Sequence, residues 1–142
     1  MTTSGSGTAT FILRRPDKGN GTVSVVLKGR MVNITMAHIH VANASARNPI
    51  RLGLLPRTLT PTLLDPPVSY RGSFTFTTAI DRFAIAAWGI EDPFLFIALL
   101  QQGSLYVNVH TTANPSGEVQ GFLECMAPCQ WPVCSARPGQ RC

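Results

Sequence analysis

The sequence predicts an all-β domain, an antiparallel β-sandwich or barrel with one short helix. Two observations support this prediction. Apolar segments that alternate with a period of two recur about seven or eight times, and turn residues such as Gly, Pro and Asn separate them. One segment alone combines helical spacing with both a start and a stop signal. Many short strands with a single helix are typical of a sandwich or barrel.

The first third of the chain contains three predicted strands. They are Thr8–Arg14, Thr22–Lys28 and Arg30–Val41. A Pro/Gly-rich turn separates the first two strands, so we expect them to form a hairpin. Gly29 is expected to end the second strand. On the third strand Met36, His38 and His40 share one face, unless a bulge resets the alternation.

The middle of the chain alternates between strands and loops. Further strands are predicted at Ile50–Leu55 and Val68–Thr77, with a proline-rich ordered loop between them. Residues 79–89 fit either a strand or a short helix. One helix is predicted at about 93–102, because Asp92 suits the N-cap, Pro93 the first turn and Gly103 the position after the last turn.

A β-hairpin follows the helix and organises the rest of the chain. Leu105–Thr111 alternates between two faces, and Asn114-Pro-Ser-Gly117 supplies turn chemistry. A second arm is predicted around Val119 and Phe122. The domain organisation is therefore a flexible N-terminal arm (1–7), one β-sandwich domain (8–124) and a cysteine-rich tail (125–142).

Composition limits the possible functions. The chain has 142 residues, enough for one packed domain, and only 13% of them are charged. The net charge is +5, but the basic residues are scattered, so we expect no nucleic-acid partner. No apolar run reaches transmembrane length. The first 15 residues lack the regions of a signal peptide, so we expect either that the numbering begins after cleavage or that Met1 is not the native start.

The four cysteines lie within the last 18 residues: Cys125, Cys129, Cys134 and Cys142. An even number in a proline-rich tail predicts two disulfides, with three possible pairings. Zinc is the alternative, although the spacings match no common zinc pattern and no histidine lies nearby. Disulfides would place the protein outside the cytoplasm.

Three N-glycosylation sequons agree with an extracellular or cell-surface location. They begin at Asn20, Asn33 and Asn43, whereas proline blocks the sequence at Asn114. N-linked glycans are therefore expected if the protein is eukaryotic and secreted.

The histidines form the candidate ligand set. The chain has three, His38, His40 and His110, and the first two project from one strand face about 6–7 Å apart. If their strand neighbours that of His110, three imidazoles converge, which is the minimum for a copper or zinc centre. Met36 could add a soft ligand. The alternative is that the histidines only make hydrogen bonds in a polar corner of the domain.

Two segments also resemble the CHRD (chordin) domain family in its free-standing single-domain form. One is AHIHVANA (Ala37–Ala44), and the other is QQGSLYVNVHTTANPSGEVQGFLE (Gln101–Glu124). The second segment matches the closing family motif at thirteen positions: Gly103, Tyr106, Val107, Asn108, Val109, His110, Thr111, Asn114, Pro115, Gly117, Glu118, Val119 and Gly121. Gln120 stands where the family usually has arginine, and the residues after His40 depart from the family's glycine-proline form. The resemblance covers residues 8–124 and implies an immunoglobulin-like β-sandwich or barrel that is extracellular and has no established enzymatic activity.

Three functions follow from these patterns. The first is a secreted structural or interaction module without a cofactor that assembles with itself, for example as a filament, or binds extracellular partners, with strand addition as one mode. The second is a copper- or zinc-binding protein. The third is a small metal-dependent oxidoreductase, because a histidine pair in a β-sandwich is similar to copper–zinc superoxide dismutase. That enzyme's other histidines and aspartate have no equivalents here, so no catalytic residues are assigned and the protein is expected not to be an enzyme.

Overall fold

The structure, a computed structural model, describes residues 4–15, 20–43 and 47–124. These residues form six strands and two helices. In chain order they are β1 (Ser6–Arg15), β2 (Asn20–Val41), β3 (Ile50–Leu55), β4 (Val68–Ile80), α1 (Arg82–Ala87), α2 (Pro93–Gln101), β5 (Leu105–Thr111) and β6 (Val119–Phe122). All strand pairs are antiparallel, which confirms the predicted all-β class.

The long strand β2 is the centre of the sheet. Its first half pairs with β1 on one edge and β4 on the other, and its second half pairs with β5 and β3. The predicted break at Gly29 was wrong, because this glycine adopts a φ of 92° and pairs with Gly72 inside the strand. A Cβ at Gly29 would lie 2.1 Å from the Ser4 carbonyl oxygen, so glycine allows β2 to continue past the N-terminal segment.

The β5–β6 hairpin extends the sheet beyond β2. The strand order β1-β2-β5-β6 curls until β1 and β6 flank one apolar cavity of about 70 Å³. Alternate residues of β5 pack there, and the ladder pairs Ala37 with Val109 and Ile39 with Val107 on this core side. The opposite face of β2 and β5 carries the histidines.

The helices follow β4. The predicted helix is confirmed as α2, where the Asp92 side chain accepts the Phe94 N–H at 2.9 Å and Gly103 has a φ of 66°. Residues 79–89, which fitted either a strand or a helix, divide between the two. Strand β4 runs on to Ile80, and α1 then begins after Asp81, whose carboxylate accepts the Ala84 N–H at 2.8 Å.

The described part of the chain includes most of the predicted N-terminal arm but ends before the cysteine-rich tail. Strand β1 begins at Ser6 and so includes the last two residues of the predicted arm, while the Ser4 N–H donates to the Arg30 carbonyl. The predicted disulfides of Cys125, Cys129, Cys134 and Cys142 lie outside the described residues.

Candidate metal centre

The β2–β5 register brings the three histidines together. A bulge at Thr35 gives β2 one residue more than β5, and the alternation then runs without interruption from Met36 to Val41. Met36 pairs with His110 and His38 with Asn108, so these side chains project from the same side of the sheet. One ring nitrogen from each histidine lies within 4.8 Å of the others. The predicted convergence is therefore present in the structure.

Hydrogen bonds fix the orientation of two of the rings. His40 Nδ1 lies 2.9 Å from the Asn48 carbonyl oxygen, and His110 Nδ1 lies 2.9 Å from that of Pro115. Since a carbonyl oxygen only accepts, both Nδ1 atoms carry the proton and both Nε2 atoms present a lone pair. Nε2 of His40, Nε2 of His110 and Nδ1 of His38 are buried without a hydrogen-bond partner.

Burial keeps the three imidazoles neutral. Desolvation lowers the pKa of His38 to about 4, and repulsion from His110 and His40 adds to the effect. Burial also lowers the pKa of His40 and of His110, although the carbonyl each ring contacts opposes the shift. Neutral imidazole is the form that binds metals.

Two aromatic rings flank the histidines. The indole of Trp88 lies 5.8 Å from the His38 ring, and the phenol ring of Tyr106 stacks on His40 at 5.1 Å with an interplanar angle of 13°. Trp88 also donates its indole N–H to the Thr58 carbonyl at 3.1 Å. Gly53, the ladder partner of His38, makes room for this indole, because a Cβ there would lie 3.2 Å from the Trp88 ring.

The β5–β6 turn holds the His110 side of the cluster. Its Pro115 carbonyl accepts from His110, and its Ser116 carbonyl accepts from the Asn108 side-chain amide at 3.0 Å. Gly117 has a φ of 124°, and a Cβ there would lie 2.1 Å from Asn108 Oδ1. The turn sequence therefore positions two side chains of the histidine face.

Thr111 and Glu118 close the base of this turn. The Thr111 hydroxyl donates to Glu118 Oε2 at 2.5 Å and accepts the Asn114 N–H at 3.1 Å. The Glu118 N–H also donates to the Val109 carbonyl. These bonds connect the two ends of the turn and limit its movement.

The donor set suits a transition metal. A metal–nitrogen bond of about 2.0–2.1 Å places two ligand nitrogens at most about 4.2 Å apart. The three ring nitrogens lie within 4.8 Å of one another. The most widely separated pair must therefore move closer by roughly half an ångström or more to bind one ion. The carbonyls that hold Nδ1 of His40 and His110 are the outer contacts that metal-binding imidazoles usually have. Met36 is half-buried on the same side of the ladder as His110.

Sequence reasoning missed the groups that surround the ligands. Trp88 lies in the segment whose structure was ambiguous, so nothing placed it next to His38. The carbonyls of Asn48 and Pro115 belong to the backbone and leave no side-chain signature. Asn48 has a φ of 49°, and the Asn48-Pro49 pair was an available signal for a turn there.

The predicted glycosylation sites lie in β2 and in the loop that follows it, where Asn43 exchanges hydrogen bonds with Asn48. Asn33 and Asn43 are exposed and Asn20 is half-exposed. Asn33 occupies a bulge of β2 with a φ of 55°, and its side-chain oxygen accepts from the Ser69 hydroxyl at 3.3 Å.

The fold and the site together define a class of protein: a small antiparallel β-domain with a buried three-histidine cluster. The chain belongs to the CHRD domain family, since the model of that family matches residues 1–123. This membership confirms the resemblance seen in the sequence and indicates an extracellular interaction module. No curated protein and no solved structure gave a significant match. None of the described helices is long and apolar enough to cross a membrane.

Proposed function

We propose that this CHRD domain is an extracellular module that binds one transition-metal ion, copper or zinc, through His38, His40 and His110. The observation that carries the proposal is the set of three buried ring nitrogens without a hydrogen-bond partner. A buried polar atom without a partner costs about 1–3 kcal/mol. A metal ion would satisfy all three nitrogens at once. The alternative, in which the histidines only make hydrogen bonds, leaves these atoms unexplained.

Metal analysis tests this proposal directly. Protein purified without chelators and then dialysed against copper or zinc should hold one equivalent of metal. Substituting His110 by Gln should remove this equivalent while circular dichroism retains the β signal. Binding that is the same in the wild type and in both His110→Gln and His40→Gln would show that the metal lies elsewhere.

An oxidoreductase would need turnover in addition to binding. The histidine side chains are almost fully buried, which favours a binding role over a catalytic one. Superoxide and peroxide assays on the copper-loaded protein separate the two roles. Loss of substrate at a rate above that of the His110→Gln variant would establish an enzyme.

Self-assembly is a second candidate function, and strand β4 supports it. Within the described residues β4 forms its ladder with β2 alone, so the backbone groups on its outer edge have no ladder partner. Arg71 is the one charged residue in its thirteen, which leaves the edge poorly protected against strand addition. Pairing with another copy at this edge would produce the filament that the sequence analysis gave as one form of self-assembly.

Light scattering and negative-stain microscopy at high concentration test assembly. Thr75, an exposed residue of β4, provides the variant, because lysine on an edge strand opposes pairing. Thr75→Lys should shift the protein towards monomers, while Thr62→Lys in the exposed loop should not. Monomeric wild-type protein would contradict assembly without affecting the metal proposal.

An extracellular role also implies covalent modification. Expression in a eukaryotic secretory host should attach glycans at Asn20, Asn33 or Asn43, which peptide N-glycosidase removes with a measurable change in mass. Thiol alkylation before reduction should label none of the four tail cysteines. Four labelled cysteines in secreted protein would contradict the disulfides.

A further inference from the structure

The histidine cluster contains no anionic ligand. Its three donors are imidazoles, and within residues 4–15, 20–43 and 47–124 no carboxylate or thiolate joins them. The Nδ1 protons of His40 and His110 are directed at backbone carbonyls, so these two rings bind as neutral ligands through Nε2. The charge of a bound ion is therefore not neutralised by the ligands.

Burial raises the free energy of that uncompensated charge. The exposed fractions are 1% for His38, 5% for His110 and 8% for His40. The Born cost of moving an ion out of water rises with the square of its charge, so a monovalent ion incurs about a quarter of the cost of a divalent ion of the same size. Three neutral ligands in a buried site therefore favour a monovalent ion.

The number of ligands points the same way. Zinc takes four ligands in structural sites, and in catalytic sites a water completes three protein ligands. Here Trp88 lies against His38 and Tyr106 stacks on His40, so aromatic carbon covers two of the three rings. On these two sides a metal-bound water would meet aromatic carbon, and the buried Oδ1 of Asn108 is a partner-free acceptor on the same face. Imidazole suits copper and zinc alike, so the preference for copper comes from the number of ligands, because monovalent copper accepts three.

We propose that the ion of this site is Cu(I), held by the three imidazole nitrogens, and that the site selects it over Zn(II). This inference rests on the proposed metal-binding function and specifies the ion. Relative to the free ions, we expect Cu(I) to be favoured over Cu(II) by about a hundredfold, which corresponds to a rise of about 120 mV in the copper potential.

The experiment uses the full chain treated with an alkylating agent, so that any cysteine outside a disulfide cannot bind copper. Cu(I) is titrated under argon in competition with a chromophoric Cu(I) chelator, for the wild type and His110→Gln. Zn(II) in tenfold excess is then added to the Cu(I) protein. Voltammetry gives the potential, and X-ray absorption at the copper edge identifies the ligand atoms in the wild type, whatever the stability of the variant.

The expected result is one equivalent of Cu(I) with nitrogen ligands, no displacement by zinc and a potential above that of free copper. The His110→Gln variant should bind at least about a hundredfold more weakly, since one of three ligands is lost. Displacement by zinc, a potential below that of free copper, or copper–sulfur scattering would overturn the inference and leave metal binding itself intact. Absence of any metal at the histidines would overturn both.

Discussion

The indole ring of Trp88 lies against the imidazole of His38, with their ring centroids 5.8 Å apart. Two further contacts hold the tryptophan. The indole N–H donates to the Thr58 carbonyl, and the Arg51 guanidinium donates to the backbone carbonyl of Trp88 at 3.1 Å. Trp88 is thus a rigid reporter next to a proposed metal ligand.

Binding of Cu(II) should therefore quench the fluorescence of Trp88. The chain has two tryptophans, so Trp131→Phe leaves Trp88 as the single emitter. Cu(II) at His38 should quench its emission strongly, because a redox-active ion can accept excited-state energy or an electron at this distance. Zn(II), which has a filled d shell and no redox chemistry, should leave most of the emission. Equal quenching in a His38→Asn variant would show that copper acts elsewhere.

Gly117→Ala should destabilise the protein. The substitution places a Cβ 2.1 Å from Asn108 Oδ1 at a φ of 124°, so strain and overpacking together should cost about 2–4 kcal/mol. Urea denaturation measures the loss. Gly121→Ala in the neighbouring strand is the matched control, because no atom lies within 4 Å of the added Cβ there, and its cost should stay below about 1 kcal/mol. Similar losses in both variants would refute the packing argument.

Thr111→Val tests the closure of the β5–β6 turn. The substitution preserves the shape but removes the hydroxyl that donates to Glu118 and accepts from the Asn114 N–H. A hydrogen bond to a charged group contributes about 1.5–3 kcal/mol, so the free energy of unfolding should fall by about that amount. Thr112→Val, at the exposed neighbouring position, should change it by less than about 0.5 kcal/mol. A Thr111→Val variant whose free energy of unfolding equals that of the wild type would contradict the proposed role of this bond.

The metal-free protein should lose stability as the pH falls from about 6.5 to about 4. His38 has a pKa of about 4 when folded and 6.5 in an ordinary environment, so the unfolded chain binds more protons within this window. The stabilisation is complete above pH 6.5 and is lost as the pH falls, by up to about 1.4 kcal/mol per pH unit for one histidine. The lowered pKa values of His40 and His110 act in the same direction.

Urea midpoints of the chelator-treated protein at pH 7.5, 6.0 and 5.0 measure this dependence. The His38→Asn variant should show a smaller decline, because it lacks the imidazole whose pKa burial lowers to about 4. A flat profile between pH 7 and pH 5 would contradict the burial of neutral histidines.

Much of the fold follows from local sequence patterns. Period-two alternation identified the strands, and Asp92 with Gly103 identified α2, because capping depends on residues close in the chain. The hairpin of β5 and β6 was predicted equally well, from the same alternation and the turn residues between the two strands. Gly29 misled the prediction, since a glycine that ends one strand and a glycine that bends another have the same local sequence.

The sequence by itself determined the ligand types: three histidines, two of them on one strand face, and a turn rich in glycine and proline. Only the tertiary structure decided that His110 lies beside His38, because the β2–β5 register and the bulge at Thr35 join segments about 70 residues apart. It also decided which ring nitrogens remain without partners, since backbone carbonyls from two turns fix the rings. Contacts between distant segments depend on packing of the whole chain, and local patterns do not encode them.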